Sequence, residues 1–336
     1  MKQLFLLVTL FRLYRLSFAA LSSIPCTDVF TTVSGLPVCR YALGGAARST
    51  QPKSLVSAYY NLLKACDEHE RDDSLSNSNG RPFYFYYNPH RYPEFMAGIK
   101  DICDRSHDTR KDIFVASGGT DRSEKAMDRR LIDALEYSGG HYLDMFVLEY
   151  VCPYEIGSDG TCTESLARAI EKARSWVDQG LVRYVAASTH SHVVGAVLAK
   201  ESDIDSMMLR YSMSHKDAAK AISLPAAANN KKPVMAFTTT RWNALQSGHD
   251  DWNGSSDKFS PPTTAECLSY ALASSPPVEI VLHSARDEEE LFHAISELST
   301  NMPDLDMQKW EKYGNLDWND DDFDEYPEER EHIPAS

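Results

Sequence analysis

The sequence predicts an α/β fold, a closed (β/α)8 TIM barrel, on three observations. From about Val38 onward, short apolar runs alternate with longer stretches of helical periodicity, the pattern of repeated βα units. There are eight such runs. The alternation fills roughly 260 residues, about the size of one such barrel. A doubly wound open sheet, the rival, would usually announce a glycine-rich phosphate turn after its first strand. Here Gly44-Gly45 runs into Ala46-Ala47 and lacks the G-x-G-x-x-G spacing.

Taken in order, the runs predict strands at Arg40–Leu43, Phe83–Tyr87, Ile113–Ser117, Met145–Glu149, Val182–Ala187, Ser206–Leu209, Val234–Phe237 and Glu279–Leu282. The segments between them carry helix punctuation. Leu166, Ile170, Ala173 and Val177 fall on one face of a helix that Gly180 ends. Thr263 and Glu266 make a capping box ahead of Leu268, Ala271 and Leu272. Arg71–Gly80 is a polar loop without periodicity.

The ends read differently. Residues 1–25 form a targeting leader: Lys2, an apolar run Leu4–Phe11, Arg12 and Arg15, small residues at Ala19, Ala20, Ser22 and Ser23, and no acid before Asp28. The run is shorter than the roughly 20 residues of a membrane span, which favours a cleaved secretory signal over stable insertion. An acid-free leader with Arg and Ser also suits organelle import, alone or as a two-step signal. A wrongly chosen start codon is the plain alternative and would leave the protein cytoplasmic. The barrel is expected over 35–300, and an acidic tail, partly disordered, over 301–336. That tail holds twelve acids against Lys309, Lys312 and Arg330.

The net charge of -15 argues against nucleic acid, and 43% apolar residues with few Gly and Pro exclude collagen and wholesale disorder. The seven cysteines include no C-x-x-C pair, so no metal site is signalled. Cys152 and Cys162 bracket a glycine-containing loop and suit either a disulfide or buried thiols. Asn253-Gly254-Ser255 is a glycosylation sequon, meaningful only on the secretory route.

Gly180–Ser191, GLVRYVAASTHS, resembles the aldo/keto reductase segment that closes the fifth strand and opens the cofactor site. Other pieces follow in the same order: GLPVCRYALGG as the first strand, YLDMFVLEY as the fourth, IDSMMLRYS as the sixth, PVMAFTTTRWNALQSG as the seventh with its cofactor-covering loop, and PVEIVLHSARDEEEL as the eighth with the helix facing the adenosine phosphate. The resemblance implies NADP(H), with NAD(H) the alternative, bound across the strand C-termini, and hydride transfer to a small carbonyl substrate. It also implies a catalytic Asp, Tyr, Lys and His, since an isolated phenol with a pKa of about 10 is a sluggish acid at neutral pH. This sequence departs from that set. Tyr87, or Asn88 on a shorter loop, takes the Asp position, Tyr92 the Tyr, Gly118 the Lys and Glu149 the His. Thr238, Arg241 and Trp242 resemble a divergent branch of the superfamily with a Thr-x-x-Arg-Trp run after strand seven.

The candidate catalytic residues are therefore Tyr92, Glu149 and Tyr87. A carboxyl at the mouth of strand four acts as acid or base if burial raises its pKa, or else it pairs with Arg210 or Arg241. Tyr92 is the better phenolic donor in a segment, FYFYYNPHRY, whose aromatics otherwise pack. His190 and His192 serve as acid or ligand with Glu149, or as plain polar surface. For the cofactor, Ser188 and Thr189 stand where the family holds the nicotinamide amide, and Phe237 where a ring stacks on it. Thr238 and Arg241 stand in the covering loop, and Ser284 and Arg286 at the adenosine end. Met208 replaces an amide-binding Gln. Asp287, Glu288, Glu289 and Glu290 stabilise their helix and repel a 2'-phosphate. Three activities suit this set: a reductase with a non-standard proton donor, a catalytically inactive nucleotide-binding barrel acting as redox sensor or interaction module, and a lyase or hydrolase using Glu149 and a histidine.

Overall fold

Side chains two apart on a strand share a face, so each apolar run presents one set to the barrel axis and one to the surrounding helices. A computed structural model describes residues 29–32, 35–45, 51–70, 80–86, 92–215, 218–219, 223, 232–252, 260–274, 278–301 and 305–318. The leader, Tyr87 with Asn88, most of the polar loop, the sequon and the chain from 319 lie outside the described residues.

Strands β1 (Val29–Thr31) and β2 (Pro37–Gly44) form an antiparallel hairpin. There follow α1 (Lys53–Glu70), β3 (Arg81–Tyr86), α2 (Pro93–Cys103), α3 (His107–Lys111), β4 (Phe114–Gly119), α4 (Glu124–Tyr137) and β5 (Leu143–Leu148). The second half carries α5 (Glu164–Asp178), β6 (Val182–Thr189), α6 (His192–Leu198), β7 (Ser206–Arg210) and β8 (Val234–Phe237). It ends with α7 (Ala244–Ser247), α8 (Thr264–Leu272), β9 (Ile280–His283), α9 (Glu288–Asn301) and α10 (Met307–Gly314). Strands β2 to β9 lie side by side in chain order, and β9 pairs back onto β2 at Tyr41↔Val281, Ala42↔Leu282 and Leu43↔His283. The sheet is thus a closed parallel barrel, the predicted architecture, and all eight runs are its staves. Their ends shift by at most three residues, the first of the eight starting at Pro37 instead of Arg40; Glu149 follows β5 instead of closing it.

Phe83, Phe114, Met145, Val147, Ala186, Met208 and Met235 fill the barrel axis, while Leu43, Tyr84, Val115, Phe146, Val185 and Leu209 meet the helices outside. The hairpin lies at the floor, where the Thr32 hydroxyl is 2.9 Å from the Tyr184 hydroxyl. Helix α5 buries Leu166, Ile170 and Ala173 as its periodicity predicts. Beyond it the left-handed Gly180 (φ 73°) turns the chain, donating to Val177 O at 2.9 Å, a conformation that costs glycine little. The capping box of α8 is formed, Glu266 N donating to Thr263 Oγ1 at 3.2 Å and Thr263 N to Glu266 Oε2 at 2.9 Å.

Part of the acidic C-terminal segment is folded. Trp310 and Tyr313 of α10 are buried, Tyr313 Oη donates to Leu245 O at 2.6 Å, and Trp318 Nε1 donates to Tyr313 O at 3.1 Å. The acids of this stretch mask, in composition, an apolar face that docks on the loop after β8. Cys152 and Cys162 are free thiols. No helix among the described residues is long and apolar enough to cross a membrane.

Candidate active site

The C-terminal rim of the strands gathers the candidate residues, and the backbone there is strained. The five non-glycine residues with positive φ among those described are Tyr150 (52°), just after β5, and Thr238 (52°), Arg241 (51°), Trp242 (51°) and Asn243 (70°), just after β8. Each left-handed non-glycine residue costs on the order of 1–3 kcal/mol, and such strain concentrates where a chain must aim a side chain at a ligand. A β-branched Thr238 at positive φ is especially unfavourable.

Glu149 is 2% exposed. Its backbone is clamped: its N donates to Gly119 O at 3.0 Å, and Arg122 Nη2 donates to its carbonyl at 2.7 Å. Arg122 is itself held by Glu155 at 2.9 Å. Burial pushes the carboxyl well above the usual carboxylate range, with Arg130 and then Arg122 opposing only in part. It forms no ion pair with Arg210 or Arg241, and Oε1 has no hydrogen-bond partner among the described residues. A carboxyl whose hold on its proton is strengthened by burial, and whose Oε1 is unengaged among the described residues, suits proton donation.

Gly118, at the lysine position of the resemblance, has no room for a side chain, because a Cβ there would lie 1.9 Å from Val147 O. The close approach of β4 to β5 thus excludes the lysine. Tyr92 caps the start of α2, is 5% exposed, and lies in the shell of side chains outside the barrel with its ring against Gly45. Tyr87 is not among the described residues.

Ser188 continues the inward register of Tyr184 and Ala186, and its hydroxyl accepts from Tyr150 N at 2.9 Å, which leaves its proton available. Thr189 points outward; its hydroxyl donates to Val151 O at 2.8 Å and accepts from Ser191 N at 3.1 Å, so both functions are engaged within the protein. Phe237 is half-buried with the His190 ring 5.2 Å away, and Tyr150 lies 4.6 Å beyond His190. His192, two residues on, is exposed at the start of α6. The His-x-His pair is split between mouth and surface. No group of three or more His, Cys, Asp or Glu among the described residues is placed to hold a metal. Thr238 Oγ1 donates to the preceding carbonyl at 2.8 Å, and Arg241 is buried with Nη1 3.4 Å from Ser214 Oγ and its guanidinium 5.4 Å from the Trp318 ring.

At the far end of the rim, Ser284 Oγ donates to Gly45 O at 3.2 Å, joining β9 to β2. Arg286 directs both Nε (2.8 Å) and its backbone N (3.0 Å) to Glu290 Oε2. Those bonds and the bond from His283 hold the Glu290 carboxyl down at about 2 despite its partial burial. Sequence reasoning did not single out Arg210 or His215 as site residues. Arg210 follows Met208 by two and so shares its inward register, a signal present in the sequence. His215 has no such periodic marker; the turn after β7 brings it there.

No protein-family model and no curated protein matches the chain. Solved structures do. An aldo/keto reductase from Klebsiella pneumoniae, in complex with NADP and acetate, is 13% identical with a TM-score of 0.58, over 87% of this chain and 97% of that one. One from Brucella melitensis is 14% identical at 0.57, over 85% and 97%. A holo form from Bacillus halodurans is 14% identical at 0.56, over 85% and 96%. At such identities the likeness is one of fold. The chain therefore shares the fold of the aldo/keto reductases, the family its strand segments resemble.

Proposed function

We propose that the protein is a nicotinamide-dependent oxidoreductase of aldo/keto reductase type that reduces a small carbonyl compound with Glu149 as proton donor. The observation that carries this reading is the buried carboxyl of Glu149 just beyond the end of β5, its pKa raised by burial and its Oε1 without a hydrogen-bond partner among the described residues. When bound, the cofactor supplies the hydride to the carbonyl carbon. Glu149 gives its proton to the carbonyl oxygen and is left as a carboxylate, which Arg130 and Arg122 stabilise. Because that carboxyl must be protonated, reduction is expected to fall as pH rises through its raised pKa.

The residues fit the nicotinamide end of such a cofactor. Phe237 offers a half-buried ring, and Ser188 a hydroxyl proton for a carboxamide oxygen. At the adenosine end the ionised Glu290 holds Arg286 beside Asp287, Glu288 and Glu289. That corner suits a ribose 2'-hydroxyl better than a 2'-phosphate, so the reading favours NAD(H) where the resemblance alone implied NADP(H). Two features support the alternative of a nucleotide-binding barrel without turnover: the side-chain-free Gly118 and the packing of Tyr92 in the outer shell.

The test is a fluorescence titration with NADH and NADPH, then turnover with a panel of aldehydes and quinones. Binding with turnover that Glu149→Gln lowers by about a hundredfold or more, the usual worth of a general acid, supports the reading. Loss of turnover in Tyr92→Phe but not in Glu149→Gln would reassign the donor. Tight binding without turnover selects the sensor. A Glu290→Gln variant is expected to gain affinity for NADPH relative to NADH.

A further inference from the structure

The chain just after β5 is pinned at every residue, and one buried ion pair completes the pinning. Glu149 N donates to Gly119 O at 3.0 Å, Tyr150 N to Ser188 Oγ at 2.9 Å, Val151 N to Ser188 O at 2.8 Å and Cys152 N to Glu155 Oε2 at 2.8 Å. The left-handed Tyr150 lies in the middle of this run. Arg122, from the loop after β4, closes the arrangement. Its Nη1 donates to Gly119 O at 2.9 Å and its Nη2 to Glu149 O at 2.7 Å, so one planar fork spans the ends of β4 and β5. Glu155, in the turn Pro153–Glu155, accepts from Arg122 Nε on Oε1 at 2.9 Å and from Nη2 on Oε2 at 3.4 Å. The backbone of Glu155 is fixed as well, its N donating to Cys152 O at 3.0 Å and its O accepting from Thr163 N at 2.8 Å. The side chains of Arg122 and Glu155 are 7% and 9% exposed.

An ion pair this deep gains little net stability, because desolvating two charges offsets their attraction. It does fix geometry, and the remaining bonds of this guanidinium go to the backbone that carries Glu149. We propose that Arg122, held by Glu155, is a positioning residue for the proton transfer, setting the depth and direction of Glu149 at the end of β5. The inference rests on the reading of Glu149 as proton donor. The charged side chains acting on the carboxyl are Arg130 of α4 and Arg122, and Glu155 acts on it through Arg122. Two consequences separate placement from charge. A misplaced donor slows the transfer without weakening substrate binding, so placement shows in kcat and not in KM. A cation beside a carboxyl favours its ionised form, so charge shows in pH: losing Arg122 extends reduction to higher pH, and losing Glu155 unmasks Arg122 and curtails it. An ion pair that served the fold alone would move neither limit.

The experiment measures kcat and KM across pH for the full chain and for Arg122→Gln, Arg122→Lys and Glu155→Gln, with thermal melting verifying that each variant folds. Arg122→Gln is expected to lower kcat by about tenfold or more with KM changed by less than about twofold, and to carry the alkaline fall in rate to higher pH. Arg122→Lys keeps the charge but not the fork, so its pH limit should stay where the wild type has it while kcat recovers only in part. Glu155→Gln should move the limit the other way. If Arg122→Gln does not fold, the other two variants carry the same test. A second readout needs no turnover: the infrared difference between each protein and its Glu149→Gln counterpart gives the pH at which the protonated carboxyl band disappears, with the same shifts expected. Unchanged kcat with unmoved pH limits in the folded variants overturns the proposal, as does a loss confined to KM. No turnover of any aldehyde, or turnover indifferent to Glu149→Gln, removes the donor reading, and the infrared shifts then decide. Shifts of opposite sign for Arg122→Gln and Glu155→Gln would keep Arg122 as the residue that sets this carboxyl, and no shift in either would overturn it.

Discussion

A carboxyl buried to 2% exposure has few ways to be tolerated, and Glu149 shows which one operates. An ion pair with Arg210 or Arg241 was the other reading open to a Glu at this strand end, but the nearby charges that act on it are Arg130 and Arg122, and they oppose burial only in part. The folded state therefore favours the protonated form of the acid more than the unfolded chain does. The consequence for stability has a definite sign. Unfolded, Glu149 ionises near 4.5; folded, it ionises higher. Stability is then fullest below about 4.5 and declines as pH rises toward the raised folded value, because the unfolded chain releases a proton the folded one retains. Glu149→Gln removes this titration, so its melting temperature is expected to improve relative to the wild type as pH rises from 4 toward 8. Parallel melting profiles for the two proteins across that range would show that the carboxyl is not desolvated.

The elements around the site are positioned by contacts that tolerate no side chain, and α10 gives the clearest case. Gly314 closes that helix against the turn after β7, and a Cβ on it would lie 1.8 Å from Met213 O. Backbone meets backbone there, so neither side can yield by a rotamer change. Gly314→Ala is expected to cost at least the ~1–3 kcal/mol of ordinary overpacking and to do so by releasing α10. Limited proteolysis should then cut near 305 to 318 well before the barrel opens, and the fluorescence of Trp310 and Trp318 should shift to the red; cleavage that still waits for global unfolding would show that α10 is not the element released. Arg241 lies under Trp318, and His249 Nε2 is 2.9 Å from Asp317 O, so release would also loosen the strained loop after β8.

For the molecule as a whole, the barrel closes over a buried charge knot at the start of β5. Asp144 accepts from Arg110 at 2.8 Å, from Arg183 at 2.9 Å and from Val115 N at 2.9 Å, and the two guanidiniums flank the Tyr142 ring at 4.1 and 4.0 Å. The knot ties α3, β4, β5 and β6 together. Asp144→Ala would leave Arg110, 1% exposed, without its carboxylate, and denaturant unfolding is expected to show a loss of about 3–5 kcal/mol. A loss below about 1 kcal/mol would mean that the carbonyls of Ser138, Ile113 and Tyr142, which Arg110 also reaches, suffice on their own. How much of this was legible beforehand follows from what each feature depends on. The eight staves, the amphipathic face of α5 and the capping box of α8 could be read directly, because strand and helix periodicity and local hydrogen bonds are properties of neighbouring residues. Glu149 could be named as a strand-end carboxyl for the same reason, but its protonation could not, since that depends on how completely distant parts of the chain exclude water from it. The engagement of Thr189, the capture of Arg286 by Glu290, the docking of α10 and the meeting of Arg210 with Arg241 and His215 likewise lay beyond the sequence. Burial and the convergence of side chains from separate loops arise only when the barrel closes and brings distant strand ends onto one rim.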